Sequence, residues 1–116
     1  MLIINNKGFL LPTCKGTEYI IAANIIRIEA ISNYSKLYFS NGKTLVVAKV
    51  LRWFEEKLGQ QGFIRTHRTH LVNGAYIHNY NCQDKGSIRL QNGELLQLAK
   101  RKKSLFIKTW SQYMAA

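Results

Sequence analysis

The most polar segment of the chain, residues 65–70, reads RTHRTH. Arginine, histidine and threonine donate hydrogen bonds to phosphates and base edges, and arginine can pair with guanine through two bonds. No carboxylate lies beside the two arginines in the sequence, so nothing nearby is expected to neutralise them. The segment therefore indicates a nucleic-acid-contacting loop, although the same composition also occurs at solvated strand edges.

The histidines and cysteines do not form a metal-binding pattern. His67 and His70 lack a cysteine or carboxylate partner at ligand spacing, and His78 lies in an alternating segment typical of a strand. Cys14 and Cys82 are far apart and belong to no CxxC pair, which excludes a disulfide framework and a zinc site by spacing. We expect two semi-buried thiols in a reducing cytosol, and neither a metal nor a cofactor.

Two further segments contain side chains that can donate hydrogen bonds to a ligand. Residues 100–103 read KRKK before an apolar helical pattern, and cations at the start of a helix oppose its dipole. This placement favours contact with a ligand over helix stability. Residues 32–36 read SNYSK between two predicted strands, but serine and asparagine favour turns without any functional reason.

The overall charge favours a polyanionic partner. The 116 residues contain 17 Lys and Arg against 6 Asp and Glu, a net charge of +11. Nucleic acid is the first expectation and an anionic membrane surface the second. No run of 18 apolar residues and no signal peptide is present, and no motif of an enzyme active site occurs. The six acidic residues are too scattered for a two-metal nuclease.

The apolar pattern predicts a mainly β protein with elongated antiparallel sheets, one short internal helix and a C-terminal helix. Tyr34 to Ser40 alternates so that Leu37 and Phe39 face the core, and Asn41-Gly42 predicts a type I′ hairpin turn. Asn92-Gly93 predicts a second hairpin. The other predicted strands are 2–4, 9–11, 18–22, 25–31, 44–48, 63–66, 76–80, 87–91 and 94–98.

Two segments have helical spacing. Val50, Leu51, Phe54 and Leu58 predict an amphipathic helix that ends at Gly59, followed by a loop over 60–62. Phe106, Trp110 and Tyr113 predict the C-terminal helix, over about 100–114.

Several of these pieces together resemble the LytTR family of bacterial response-regulator output domains. They are IIRIEA at 25–30 with NY at 33–34, FIRTHRTHLVN at 63–73, Ile77, LQNG at 90–93 and AKR at 99–101. The order and spacing fit over about residues 8–107, which gives one domain over 1–116 with its core at about 8–107. The segment at 63–73 is fairly specific for this family, whereas the other pieces support the resemblance only in combination.

The resemblance implies a DNA-binding transcription regulator of a two-component system, in the cytoplasm, that reads duplex DNA with loops in successive major grooves. Carried over by position, the DNA-binding residues lie in three segments. They are Asn33, Tyr34, Ser35 and Lys36, then Arg65, His67 and Arg68, and finally Lys100, Arg101 and Lys103. Direct repeats are the expected target, occupied by two copies of a protein that is monomeric in solution.

One departure is Ala99, where the family often has serine, so one backbone or phosphate contact is expected to be missing. No receiver domain precedes the LytTR-like part, which leaves a free-standing domain or a piece of a longer regulator as alternatives; Met1 and a short N-terminal strand allow the first.

Two other functions remain open from the residues. Tyrosines on a sheet could stack on the bases of single-stranded RNA or DNA; these are Tyr19, Tyr34, Tyr38, Tyr76 and Tyr80. Alternatively, exposed strand edges could bind a partner protein. That second alternative leaves the clustering of Arg65, Arg68 and residues 100–103 without an explanation.

Overall fold

A computed structural model describes residues 7–81 and 86–115 of the chain. The described part contains ten strands and two α-helices. The strands are β1 Gly8–Thr13, β2 Gly16–Ile21, β3 Ile25–Ile31, β4 Tyr34–Phe39, β5 Thr44–Val47, β6 Phe63–His67, β7 His70–Asn73, β8 Ile77–Asn81, β9 Ser87–Leu90 and β10 Leu95–Gln97. The helices are α1 Leu51–Leu58 and α2 Lys103–Ala115. The predicted fold class is confirmed.

All strand pairs are antiparallel and form three sheets. The central sheet has five strands in the order β5-β4-β3-β7-β6, and the others have the orders β10-β9-β8 and β1-β2. Neighbouring residues of β7 point to opposite faces: Leu71 packs in one core and Val72 in another, both fully buried. Phe63 and Ile64 of β6 divide in the same way. The central sheet is therefore covered on both faces.

Each face of the central sheet has its own cover. The first core receives Leu51, Phe54 and Leu58 from α1, spaced along one helical face, together with Leu11 from β1. The second core lies under β8, β9 and β10 and receives Phe106 from α2. Because α2 follows the basic run at 100–103, this anchor also sets where that run lies.

Arg27 joins the central sheet to the three-stranded sheet. Its side chain is only 8% exposed, and its Nη2 donates to Oε2 of Glu94 at 2.9 Å, in the β9–β10 connection. The guanidinium stacks over the ring of Tyr38 with 3.7 Å to the centroid. Such a pair fixes the relative position of two elements, because the buried guanidinium of Arg27 would be poorly solvated without its counter-charge.

The turns differ in type from the prediction. Both asparagine-glycine hairpins form, but only the glycines have positive φ, +88° at Gly42 and +92° at Gly93. A type I′ turn requires positive φ at both central residues, so that assignment is wrong for Asn41-Gly42. Instead the glycine amides donate to Phe39 and Leu90, which closes each turn one residue earlier.

The end of α1 also differs. Gly59 follows the helix as predicted, but its φ of −57° is right-handed and the chain continues through a 3-10 turn, Gly59–Gln61. Gly62 has the left-handed φ of +91° that reverses the chain into β6. The signal for the reversal is therefore the second glycine.

The strands differ from the predicted ones in the polar segment and near the N-terminus. The structure contains β7, which the sequence reading did not separate from the polar segment before it. The strand predicted at 9–11 extends through Pro12 in the structure, which an edge strand tolerates because it can present a residue without an N–H to the open side. The strand predicted at residues 2–4 lies outside the described residues.

Replacing Phe106 by alanine should remove the main anchor of α2. Phe106 is fully buried, and truncation of a buried phenylalanine costs about 3–5 kcal/mol of unfolding free energy. The neighbouring Leu105 is 60% exposed, so Leu105→Ala should change the unfolding free energy by less than about 0.5 kcal/mol. Urea unfolding of both variants measures the difference, and equal losses would contradict the packing described here.

Candidate nucleic-acid interface

Two hairpin turns lie together at one end of the central sheet. We call residues 32–33, between β3 and β4, turn 1, and residues 68–69, between β6 and β7, turn 2. Strands β3 and β7 are neighbours, with Glu29 opposite His70, and the amide of Ala30 donates to the carbonyl of Thr69 at 2.9 Å. This pairing places the two turns side by side although they are distant in the sequence.

The basic segment, which we define as residues 100–103, lies beside turn 2. The amide of Ala99 donates to the carbonyl of Thr66 at 2.8 Å, which attaches the start of the segment to β6. Lys100 and Lys103 then line a cleft of about 520 Å³ together with His67. The residue at position 99, where a missing contact was expected, thus supplies a backbone bond within the protein.

Arg65 organises turn 2 from within the protein. Its Nε donates to the carbonyl of His67 at 2.9 Å, and its Nη2 donates to the carbonyl of Arg68 at 2.6 Å. Its Nη1 forms an ion pair of 2.7 Å with Oε1 of Glu55 on α1. The expectation that no carboxylate neutralises these arginines is therefore wrong for Arg65, and its side chain serves the turn.

Turn 2 depends on this support because its backbone is unusual for a two-residue hairpin. Such turns usually need at least one residue with positive φ. Ser32 of turn 1 has φ +56°, whereas neither Arg68 nor Thr69 is among the non-glycine residues with positive φ in the described chain. Instead β6 and β7 contain a bulge between Arg65 and His67, which allows one extra residue on β6.

The side chain of Arg68 points away from these contacts. It is exposed, and no hydrogen bond or ion pair joins it to another described side chain. Only its carbonyl takes part in the turn, by accepting from Arg65. Arg68 therefore presents a guanidinium whose five donors are available to a ligand.

Turn 1 divides its predicted residues between surface and interior. Asn33 is exposed and Tyr34 is half exposed, while Lys36 is partly buried with its Nζ 5.1 Å from the ring centroid of Tyr38. Ser35 is fully buried, and its hydroxyl donates to the carbonyl of Lys49 at 2.6 Å. Its side chain therefore holds the backbone after β5 and is not at the surface.

Lys49 is a residue that the sequence reading missed. The bond from Ser35 holds it beside turn 1, and it lines a cleft of about 420 Å³ with Tyr34. Its Nζ lies 5.3 Å from the ring centroid of Trp53. The sequence carries no specific signal for Lys49, because its position depends on the pairing of β4 with β5.

The acidic side chains in the described ion pairs contact arginines other than Arg68 and Arg101. Within the described ranges the ion pairs are Arg27 with Glu29 and Glu94, Arg52 with Glu56, and Arg65 with Glu55. None of these pairs includes Arg68 or the basic segment. Among the described residues, Arg68, Lys100 and Lys103 therefore contribute positive charge to this surface without an ion-pair partner.

His70 lies at the base of turn 2 in a setting that favours its neutral form. Burial lowers the pKa of His70, and the charge of Arg27 and the ring of His67 lower it further, against the opposing effect of Glu29. Its Nδ1 is buried without a hydrogen-bond partner. The rings of His67 and His70 lie 5.6 Å apart between centroids.

The histidines and cysteines were also considered as metal ligands and as semi-buried thiols. Among residues 7–81 and 86–115, no three of the histidine, cysteine and acidic side chains cluster in a way that could hold a metal. Cys14 is exposed in the β1–β2 turn, so the expectation of a semi-buried thiol is wrong there. Cys82 lies outside the described residues.

The tyrosines considered for base stacking do not form one surface. Tyr38 donates to Glu29 and is covered by Arg27, and the hydroxyl of Tyr76 donates to the carbonyl of Ala23. Tyr80 packs against Phe106, with centroids 5.9 Å apart. These three side chains therefore make contacts within the protein, whereas Tyr19 and Tyr34 are 60% and 50% exposed and lie on different sheets.

The arrangement of three antiparallel sheets and two helices also occurs in a solved structure. A domain from Bacillus cereus, described as the LytTr DNA-binding domain of a response regulator, has the same fold with a TM-score of 0.73. The two are 23% identical, and the match covers 88% of this chain and 94% of that one.

The family model of the LytTr DNA-binding domain matches residues 15–111. The chain belongs to the LytTR family, whose members are DNA-binding domains. No curated protein matches the chain. Across the described ranges, no helix is both long and apolar enough to cross a membrane.

Acid should destabilise the fold partly through His70. A histidine whose pKa is lowered on folding contributes stability above its ordinary pKa, and that contribution is lost as pH falls toward the folded value. The unfolding free energy should therefore fall between about pH 7 and pH 5, and His70→Phe should make that fall shallower. Urea unfolding at both pH values measures this; an identical fall in the variant would contradict the assignment.

Removing the Arg65 side chain should loosen turn 2. Arg65→Met loses three hydrogen bonds and leaves Glu55 without its partner, at a cost of about 1–3 kcal/mol in unfolding free energy. Amide exchange at Thr69 should accelerate more than exchange in the β4–β5 turn. The control is Arg52→Met, because the pair of Arg52 with Glu56 is highly exposed. If both variants behave alike, Arg65 does not organise the turn.

Proposed function

We propose that this chain is a transcription regulator that binds duplex DNA sequence-specifically through turn 1, turn 2 and the basic segment. The observation that carries this proposal is a cleft lined by His67, Lys100 and Lys103, beside which turn 2 exposes Arg68; none of the described ion pairs includes these four residues. The second support is membership in a family of DNA-binding domains. Turn 1 extends the same end of the sheet through the bond of Ala30 to Thr69.

The three segments would enter successive major grooves, which are wide enough to admit a two-stranded β-ribbon. The proposed contacts come from Asn33, Tyr34 and Lys36 in and after turn 1, from His67 and Arg68 at turn 2, and from Lys100, Arg101 and Lys103. Lys49 adds a phosphate contact beside turn 1. Arg65 and Ser35 act indirectly, by holding turn 2 and the chain after β5.

Affinity would come mainly from the release of counterions by lysine and arginine. With about six phosphate contacts, the logarithm of the binding constant should fall with the logarithm of salt concentration at a slope of about −5. Base contacts by His67, Arg68 and Arg101 would supply the specificity.

The target would be a pair of direct repeats in the cytoplasm, bound by two copies of a protein that is monomeric when free. Selection from a random duplex pool tests this directly, because a recovered repeated motif defines both the specificity and the spacing. Competition with single-stranded oligonucleotides separates this function from the alternative. If single strands compete as well as the selected duplex, the proposal fails.

Arg101→Ala should weaken binding to the selected duplex by about 1–3 kcal/mol and relax its specificity, because the proposed function assigns a base contact to Arg101. Lys43→Ala is the matched control, because Lys43 lies in the β4–β5 turn at the opposite end of the central sheet. It removes the same charge and should change affinity only slightly. Fluorescence anisotropy measures both variants. Binding of Arg101→Ala as tight as that of the wild type would reject the role of Arg101.

A further inference from the structure

The two ring nitrogens of His67 have different surroundings. The backbone N–H of Thr69 donates to Nδ1 at 3.2 Å, and the hydroxyl of Thr69 lies 2.9 Å from the same nitrogen. A backbone N–H can only donate, so Nδ1 must be the accepting nitrogen. In a neutral imidazole the proton then lies on Nε2.

Nε2 is the ring nitrogen of His67 that remains available to a ligand. No described residue forms a hydrogen bond with it, and it is not among the buried atoms without a partner. The half-buried ring lines the cleft that also contains Lys100 and Lys103. The Nε2–H and the two ammonium groups are all donors, which makes this part of the surface complementary to hydrogen-bond acceptors.

We infer that His67 meets DNA as a fixed Nε2–H donor and therefore pairs with an acceptor on the duplex. This inference rests on the proposed function and specifies the chemistry at one of its contacts. The acceptor is a purine N7, a guanine O6 or a phosphate oxygen. The amino groups of adenine and cytosine are donors, so His67 selects against them.

The fixed tautomer depends on the shape of turn 2. The bond to Nδ1 forms because turn 2 brings Thr69 back toward His67, and Arg65 holds that shape through the carbonyls of His67 and Arg68. Arg65 is therefore a positioning residue for His67. Its ion pair with Glu55 extends this support to α1.

Two substitutions at His67 test the polarity of the contact. His67→Gln places an amide nitrogen near the position of Nε2, whereas His67→Asn places its amide near Nδ1. We expect His67→Gln to keep most of the affinity for the selected duplex. His67→Asn should lose about tenfold, equivalent to about 1.4 kcal/mol. Thermal unfolding of both variants checks that neither result reflects a damaged fold.

Modified duplexes identify the acceptor. One series replaces each purine by its 7-deaza analogue, one replaces each guanine by 2-aminopurine, which lacks O6, and another replaces each phosphate by methylphosphonate. The modification that removes the partner of His67 should weaken the wild type but have no further effect on His67→Ala. A hit in either base series identifies a base edge, and a hit in the phosphate series identifies the backbone. Effects that are additive with His67→Ala at every position would overturn the inference.

The tautomer has a readout that does not need DNA. Nitrogen-15 chemical shifts of the histidine rings in the free protein should show Nε2 protonated and Nδ1 accepting at His67. A proton on Nδ1, or His67→Asn binding as well as the wild type, overturns this inference alone. Absence of any duplex binding by the wild type overturns it together with the proposed function.

Discussion

The pairing of β3 with β7 is the constraint on which the proposed surface depends. Each of these strands leads from or into a hairpin turn, and their antiparallel register places both turns at the same end of the sheet. Beyond the last paired residues of the two strands, the amide of Ala30 donates a further hydrogen bond to the carbonyl of Thr69, which belongs to turn 2. Both strands are buried on both faces, so a shift in register would move apolar side chains out of two cores at once.

The basic segment is fixed to this end by two independent connections. Locally, the amide of Ala99 bonds to Thr66 on the edge strand of the central sheet. At longer range, Phe106 anchors the helix that follows the segment. A cationic run at the start of a helix opposes its dipole, and these connections hold it there despite that cost. Stability is therefore supplied by the cores, which leaves the surface residues available to a ligand.

The distribution of charge separates two kinds of arginine. Arg27 and Arg65 are partly or fully buried, meet carboxylates and join elements of the fold. Arg68 and Arg101 are exposed and form none of the described ion pairs. Three of the six acidic residues, Glu29, Glu55 and Glu94, lie beside Arg27 or Arg65, whereas none of the described ion pairs reaches the proposed interface arginines Arg68 and Arg101.

Much of the fold could be predicted from the sequence, because the spacing of apolar residues and the residues typical of turns are local signals. Strand β3 has the predicted bounds, and β4 and both asparagine-glycine hairpins were placed closely. Strand β7 was missed because residues 65–70 are continuously polar, and the bulge in β6 breaks the alternation there. The two glycines after α1 are both plausible ends of a helix, and only the folded backbone distinguishes them.

The candidate site could be predicted as three segments but not as individual roles. Composition and the family resemblance gave the segments, and pairing of strands brings them together. The roles of Arg65 and Ser35 depend on partners that are distant in the sequence or supplied by backbone carbonyls, Glu55 for one and the carbonyl of Lys49 for the other. No spacing rule contains that information, because the contacts arise only when α1 and β5 pack beside their neighbours.

The central claim is that the three segments contact one duplex together. The most direct measurement is a titration of the isotopically labelled protein with its selected duplex, followed by backbone amide chemical shifts. The amide chemical shifts of Asn33, Arg68 and residues 100–103 should change in parallel and saturate at the same DNA concentration, while the shift of Lys43 should stay unchanged. Shifts confined to one of the three segments, or centred on the opposite end of the sheet, would contradict it.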